Sequence, residues 1–278
     1  MFIYHNKREA QTGLMQFFII RNIDFFRKVL KLFKKQCKLH FLCNGKLLEI
    51  HEENTNFYGI FVKREMFDVE CPVNFTIFRD DIIWGLDNCG CGVFDISQGL
   101  LILNDDEFQS MRYVKDVEKH FYSAHPTSTN INQHVNELDI VEIKCRTENY
   151  VNIPFCENSR CYKRNEDGNL GAVLVEVSFS KKTLYHFPHG KFRMKIGQNI
   201  TVVHGESGVE ERIVIPVYSV HGGEHEFICY GEWAQRILDI SEVVEVIVVY
   251  VFAREMHISI TFSEQSNCIG KAVVPFVE

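Results

Sequence analysis

Several things are missing from this 278-residue chain, and each absence removes a class of protein. No uninterrupted apolar run reaches the roughly 18–20 residues that a membrane helix needs, so no membrane contact is expected. Met1 to Ala10 carries Lys7, Arg8 and Glu9 where a secretory signal would have its apolar stretch. There is no excess of base either. Lys and Arg number 30 against 37 Asp and Glu, giving a net charge of -7 and a pI near 6.0, so any attraction to a polyanion must come from where the charges sit. With 46% hydrophobic residues the chain is neither disordered nor fibrous. Ten cysteines without a secretion signal read as reduced thiols in a soluble, intracellular protein. The length suits two domains of roughly 100–150 residues, each able to bury its own core.

Catalytic and metal-binding patterns are also wanting. Cys156 and Cys161, Cys89 and Cys91, and His221 and His225 are close pairs, yet none is followed at zinc-site distance by a second pair. Cys37, Cys43 and Cys229 read as small core fillers, and the loop cysteines are where zinc would sit if the chain held any. Gly90, Gly92 and Gly99 form no phosphate-binding loop. The acidic pairs Asp80/Asp81, Asp105/Asp106 and Glu210/Glu211 are adjacent, which aims their carboxylates apart and argues against a shared acid–base site. No serine or cysteine stands in a nucleophile elbow, and no carboxylates are nominated for a nuclease metal site. A non-catalytic protein with no cofactor and no metal is the expectation.

What the chain does have is a recurring order of local patterns. Leu14 to Arg21 reads as a buried strand, Asn22 as an N-cap, and a helix follows to about Lys38. Leu39–Cys43, Leu47–His51 and Phe57–Lys63 read as an antiparallel meander turning at Asn44-Gly45. The order returns with a strand at Val73–Phe78, a short helix from Arg79 to about Asn88, and strands at Val93–Ser97, Leu100–Leu103 and Met111–Val117. Between His120 and Asn169 the apolar pattern thins into connector and surface loops, with a strand at Asp139–Cys145. The unit then appears twice more. A strand at Val173–Phe179 precedes a short helix at Ser180–Phe187 and strands at Lys191–Ile196, Ile200–Val203 and Arg212–Val217. Glu226–Tyr230 precedes a helix from about Gly231 to Ile240 and strands at Val243–Ala253, Met256–Phe262 and Ala272–Val277. Four β-α-β-β-β units imply an α+β fold of two pseudo-repeated domains.

The first helix breaks the charge balance. At about 100° per residue, Ile23, Phe26, Leu30, Phe33 and Cys37 form one apolar stripe. Arg27, Lys28, Lys31, Lys34, Lys35 and Lys38 then crowd an adjacent arc of roughly 120°. Only Asp24 relieves their repulsion from within the helix. Such a face is either simply solvated or a track for a polyanion, where each cation near a phosphate releases condensed counterions without reading sequence. No aromatic stacking platforms are interleaved with the cations on that face, so contact with a phosphate backbone is favoured over base stacking. The other helices add Lys181 and Lys182, then Arg236 opposite Trp233 and Ile237, while the second is acidic, with Asp80, Asp81 and Asp87 against Arg79.

The helix FFRKVLKLFKKQCK followed by LHFLCNGKLLEIHEENTNFYGIFV resembles the opening of the DNA sliding clamps of the PCNA class. The element order extends that likeness over roughly residues 11–120 and 139–278. The resemblance implies an N-terminal clamp domain at 1–120, an interdomain connector at 121–138 and a C-terminal clamp domain at 139–278. It also implies a continuous curved antiparallel sheet with helices on its concave face. By the same resemblance, Arg27, Lys28, Lys31, Lys34, Lys35 and Lys38, with Lys181, Lys182 and Arg236, would meet the phosphates of duplex DNA. The implied partners are two other clamp subunits in a ring, a clamp loader, and peptide motifs of repair or replication proteins docked under the connector, in part of His120–Asn136.

Strands near Met111–Val117 and Arg212–Val217 are the natural pairing edges. Where replicative clamps have an Asp, small residues and a His, this chain has Glu52, Glu53, Asn54 and Thr55, and it ends AVVPFVE with no acidic tail. It is therefore most similar to a divergent subunit of the heterotrimeric checkpoint clamp, the nine-one-one complex, acting in the nucleus. A fast-evolving replicative or viral clamp, the latter in a viral factory, fits the same pattern. A protein-interaction scaffold without DNA contact is the alternative of another class.

Overall fold

The computed structural model describes residues 17–43, 47–53, 58–69, 73–88, 93–95, 100–104, 109–113, 118–119, 143–144, 150–152, 161–163, 173–206, 209–263 and 267–277. Strand β1 (Phe17–Ile20) leads into helix α1 (Ile23–Val29), and β2 (Lys38–Cys43), β3 (Leu47–Glu52), β4 (Tyr58–Lys63) and β5 (Phe67–Val69) follow. Next come β6 (Val73–Phe78), α2 (Arg79–Asn88), β7 (Val93–Asp95), β8 (Leu100–Asn104) and β9 (Gln109–Tyr113). Four short strands succeed them: β10 (Glu118–Lys119), β11 (Ile143–Lys144), β12 (Tyr150–Asn152) and β13 (Cys161–Lys163). The remainder has β14 (Val175–Ser180), a 3₁₀ helix (Lys181–His186), β15 (Lys191–Ile196), β16 (Ile200–Glu206), β17 (Val209–Ile215) and β18 (Ser219–Gly222). It closes with β19 (His225–Tyr230), α3 (Glu232–Leu238), β20 (Val244–Val251), β21 (Glu255–Phe262) and β22 (Cys268–Pro275).

One antiparallel sheet carries the architecture, with strands in the order β10-β6-β2-β3-β4-β22-β21-β20-β14-β18. Its middle joint unites the two ends of the chain, because β4 pairs with β22 from Tyr58↔Ala272 to Val62↔Cys268. Side chains alternate across a strand, so Leu39, Phe41 and Cys43 of β2 and Leu48 and Ile50 of β3 face one side, where they join Phe26, Val29 and Leu30 of the α1 region in the core. The opposite side is also buried, and it is polar. His40 stacks on His51 with ring centroids 5.2 Å apart, His40 Nδ1 meets Thr76 Oγ1 at 3.1 Å, and His51 Nδ1 lies 3.0 Å from Glu49. A second sheet has the order β17-β16-β15-β19. In β15 the alternation is plain: Phe192, Met194 and Ile196 are buried while Lys191, Arg193 and Lys195 are exposed.

Several elements depart from the sequence pattern. Asn22 caps α1 as expected, its side chain accepting from the Phe25 amide at 3.1 Å, but the helix stops at Val29 and tightens into a 3₁₀ turn at Leu30–Leu32. Phe33 is extended and Gln36 is left-handed, at φ 60°. The segment Ser180–Phe187 is likewise 3₁₀, capped by Ser180 Oγ accepting from the Lys182 amide. Strands β5, β10, β12, β13 and β18 had no counterpart in the pattern. The connector expected at 121–138 lies outside the described residues, and no helix among those described is long and apolar enough to cross a membrane.

Gly231 marks a constraint that no pattern shows. A Cβ there would overlap the carbonyl oxygen of Pro188, and the backbone is pinned by its own amide donating to Gly190 O at 3.1 Å and by the Tyr230↔Lys191 pairing beside it. Gly231→Ala is therefore expected to destabilise the protein by at least about 1–3 kcal/mol, lowering the urea midpoint without changing the slope of the transition.

Candidate nucleic-acid interface

The early end of α1 reshapes the expected basic face. In a continued helix the Lys34 amide would donate to Leu30 O; here Arg79 Nε takes that carbonyl at 3.0 Å, and the Lys34 amide donates to Glu52 Oε1 at 3.1 Å. The Gln36 amide goes to Asp80 Oδ2 at 3.2 Å, and the Arg79 amide donates to Cys37 O at 2.9 Å. Three tertiary partners thus win the groups that would have extended the helix. The expectation of six cations on one helical face is corrected accordingly. Arg27 and Lys28 are on α1, Lys31 is in the 3₁₀ turn, and Lys34 and Lys35 are in the loop that follows.

Lys38 opens β2, and it points away from the helix side because its neighbour Leu39 points toward it. Its ammonium lies 5.6 Å from the centroid of the Phe78 ring. Cys37, placed on the apolar stripe by periodicity, is half-buried in the loop, and burial followed by the charge of Glu52 pushes its thiol up to about 12.

The cations that remain near the helices are mostly engaged. Arg27 pairs with Asp24 and with Asp87 of α2, both at 3.1 Å. Lys28 reaches Glu242 at 3.4 Å, and Lys34 Nζ lies 2.8 Å from Glu232 of α3. Lys181 donates to the backbone oxygen of Ser241 at 2.8 Å. Lys31, Lys35 and Lys182 are exposed and have no carboxylate partner among the described residues. Hydrogen bonding to Lys34, and secondarily to Arg236, holds the Glu232 carboxyl below its ordinary range despite partial burial. The Lys34–Glu232 pair is therefore complete above that range and lost as pH falls through the depressed value.

Arg236 reaches this surface only at the floor of a groove and is otherwise buried. It is 8% exposed, and its guanidinium donates to Glu52 at 2.7 Å and to Glu232 at 2.9 Å while lying 3.9 Å from the centroid of the Tyr58 ring. Trp233 and Ile237 of the same helix are buried as well. Burial raises the Tyr58 phenol well above its ordinary value, so the ring under the cation stays neutral. Glu52 was a clue available in the sequence. In LLEIHE it continues the alternation of Leu48 and Ile50, an acid at an inward position, and such an acid needs a cation.

Between the Lys31–Lys35 segment and α3 runs a groove of about 800 Å³, with Arg79, His189, Gln235 and Asp239 also on its walls. Of the closely spaced cysteines, Cys89, Cys91 and Cys156 lie outside the described residues, and no cluster of three or more metal-ligating side chains occurs among those described. At the sheet margins, β17 pairs with β16 alone, and β9 pairs with β8 alone among the described strands.

No protein-family model and no curated protein matches the chain. Solved structures do. Proliferating cellular nuclear antigen from Entamoeba histolytica superposes with a TM-score of 0.61 at 10% identity, over 96% of this chain and 100% of that one. The PCNA2–PCNA3 complex from Sulfolobus tokodaii gives 0.57 at 10% identity, over 94% of this chain and 99% of the other. The chain has the α+β sliding-clamp fold.

The buried pair gives a direct test of how the site is held. Glu52→Ala leaves the Arg236 charge buried with less compensation and is expected to cost about 3–5 kcal/mol in urea unfolding. The double variant Glu52→Leu/Arg236→Met should cost distinctly less than Glu52→Ala alone, because it leaves no charge stranded.

Proposed function

We propose that the chain is a non-catalytic sliding-clamp subunit that encircles duplex DNA in a ring with two other clamp subunits and tethers repair, checkpoint or replication proteins. The observation that carries this is the extent of the likeness: the fold of a whole clamp chain accounts for nearly all of this one. In this reading the element order forms two pseudo-repeated domains, 1–120 and 139–278, joined by the connector at 121–138, with the helices on the concave face. The free edge of β17 in one subunit pairs with the β9 edge of the next, a head-to-tail contact that closes into a ring. DNA is held by enclosure and by phosphate contacts that do not read sequence.

Lys31, Lys35 and Lys182 are the leading phosphate contacts, with Arg27, Lys28, Lys34 and Lys181 behind them. Lys38 and Arg236 drop out of the set because one faces away and the other is mostly buried and held by Glu52 and Glu232. The branch we favour is the checkpoint clamp of the nine-one-one type, loaded in the nucleus by a clamp loader. Its support is the divergence at Glu52, which serves here as a buried counter-ion. A replicative or viral clamp is the second branch. One observation favours the scaffold reading instead, namely that acids on the same surface neutralise much of its charge.

Two measurements separate these readings. Lys31→Glu/Lys35→Glu is expected to weaken salt-dependent association with a duplex by about tenfold or more, since each reversal loses an attraction and adds a repulsion; unchanged association would favour the scaffold. Sedimentation of the purified chain alone should show no homotrimer, with entry into a three-protein assembly on adding cell extract. A homotrimer formed by the chain alone rejects the checkpoint branch.

A further inference from the structure

Two of the cations assigned to DNA have carboxylates set against them from the other half of the chain. Lys28 on α1 is held by Glu242, which follows α3, and Lys34 is held by Glu232, the first residue of α3. The surface is continuous across these pairs, since Lys181 reaches Ser241 beside Glu242 and the Lys31–Lys35 segment shares one groove with α3. Lys31 and Lys35 stand between and beside the paired lysines with no acid of their own among the described residues.

We infer that Glu232 and Glu242 are built-in counter-ions that mask Lys34 and Lys28, so that the clamp engages DNA weakly and with a shallow dependence on salt. This rests on the DNA-encircling reading above. Its physical basis is ion balance. A free lysine that meets a phosphate releases a counterion condensed on the duplex, which steepens the salt dependence by about 0.9 in log–log slope. A lysine that must first leave a carboxylate strands that carboxylate, which then recruits a cation from solution. The ion released by the DNA is offset by the ion taken up by the protein, and the contact disappears from the slope. DNA therefore exchanges for Glu232 and Glu242 at this surface, whereas it adds to Lys31 and Lys35.

Both pairs are substantially exposed, Lys34 by 60% and Glu232 by 54% of the side chain, so each masks without locking. Exchange is cheap enough for a ring to slide, because no single contact is strong. The pairs also join the two halves of the chain, and a phosphate that draws off Lys28 and Lys34 leaves the buried Arg236–Glu52 bond across the same seam in place.

The test is duplex association by fluorescence anisotropy, between about 50 and 200 mM salt, with the full-length chain and its Glu232→Gln and Glu242→Gln variants. Each variant is expected to bind about two- to fivefold tighter at the low-salt end and to show a log–log slope steeper by about 0.9. Asp239→Asn is the control, an acid on the same groove whose recorded partner is Gln235. It should leave the slope unchanged. Adding Lys28→Gln to Glu242→Gln should return the slope to that of the unmodified chain. Glutamine at 232 can still accept from Arg236, and the carboxylate of Glu242 pairs among the described residues with Lys28 in an exposed contact, so at least the second variant is expected to keep the unmodified melting temperature. Unchanged slopes in both glutamine variants, or an equal steepening in Asp239→Asn, overturn the inference while leaving the DNA reading intact. No salt-dependent association of the unmodified chain, or association indifferent to Lys31→Glu/Lys35→Glu, overturns both.

Discussion

Arg236 is a cation placed where water barely reaches, and a buried charge must be compensated on every side or it destabilises the fold that contains it. Compensation comes from three directions. Glu232 lies one helical turn back on α3, Glu52 arrives from the end of β3, and the ring of Tyr58 on β4 lies 3.9 Å beneath the guanidinium. Two of the three belong to the other half of the chain. Satisfying Arg236 therefore means docking α3 on the β3–β4 meander, and the same docking brings β22 against β4 so that two sheets become one.

That demand reaches the surface. The Glu52 oxygen that receives Arg236 also receives the Lys34 amide, and Arg79 holds the carbonyl that this amide would otherwise have used. The helix is thus ended by the interior. Once Lys34 leaves helical geometry, its ammonium swings to Glu232, while Lys31 and Lys35 are left toward solvent. A buried ion pair in the seam accordingly decides which surface lysines are spent on structure and which stay available.

This chain of causes explains what the sequence could and could not reveal. Strands written by alternation or by continuous apolar runs were legible, as KFRMKI and VEVIVVYV show, because their pattern is local and survives any packing. The Asn22 cap was legible for the same reason. The end of α1 was not. Helical periodicity runs unbroken through Cys37, and the groups that override it, Arg79, Glu52 and Asp80, stand 49, 18 and 44 residues from their partners. The burial of Arg236 was hidden likewise. A lone arginine on a short helix looks solvated until an acid 184 residues away is known to face it.

The distribution of charge also takes a different form from the one its totals suggest. A net charge of -7 suits a ring that keeps DNA off its outer surface only if the acids lie outside. Several do not. Asp87, Glu232 and Glu242 sit among the very cations that would face the duplex. Crowded lysines repel one another in the folded chain whether or not DNA is present, and a ring subunit must be stable before it is loaded. Interspersed acids relieve that repulsion at the expense of attraction to phosphate, so stability and affinity are set against each other on one surface. Under the proposed function a subunit held on DNA by enclosure would lose little in that exchange, because its residence would depend on the closed ring more than on the strength of any contact.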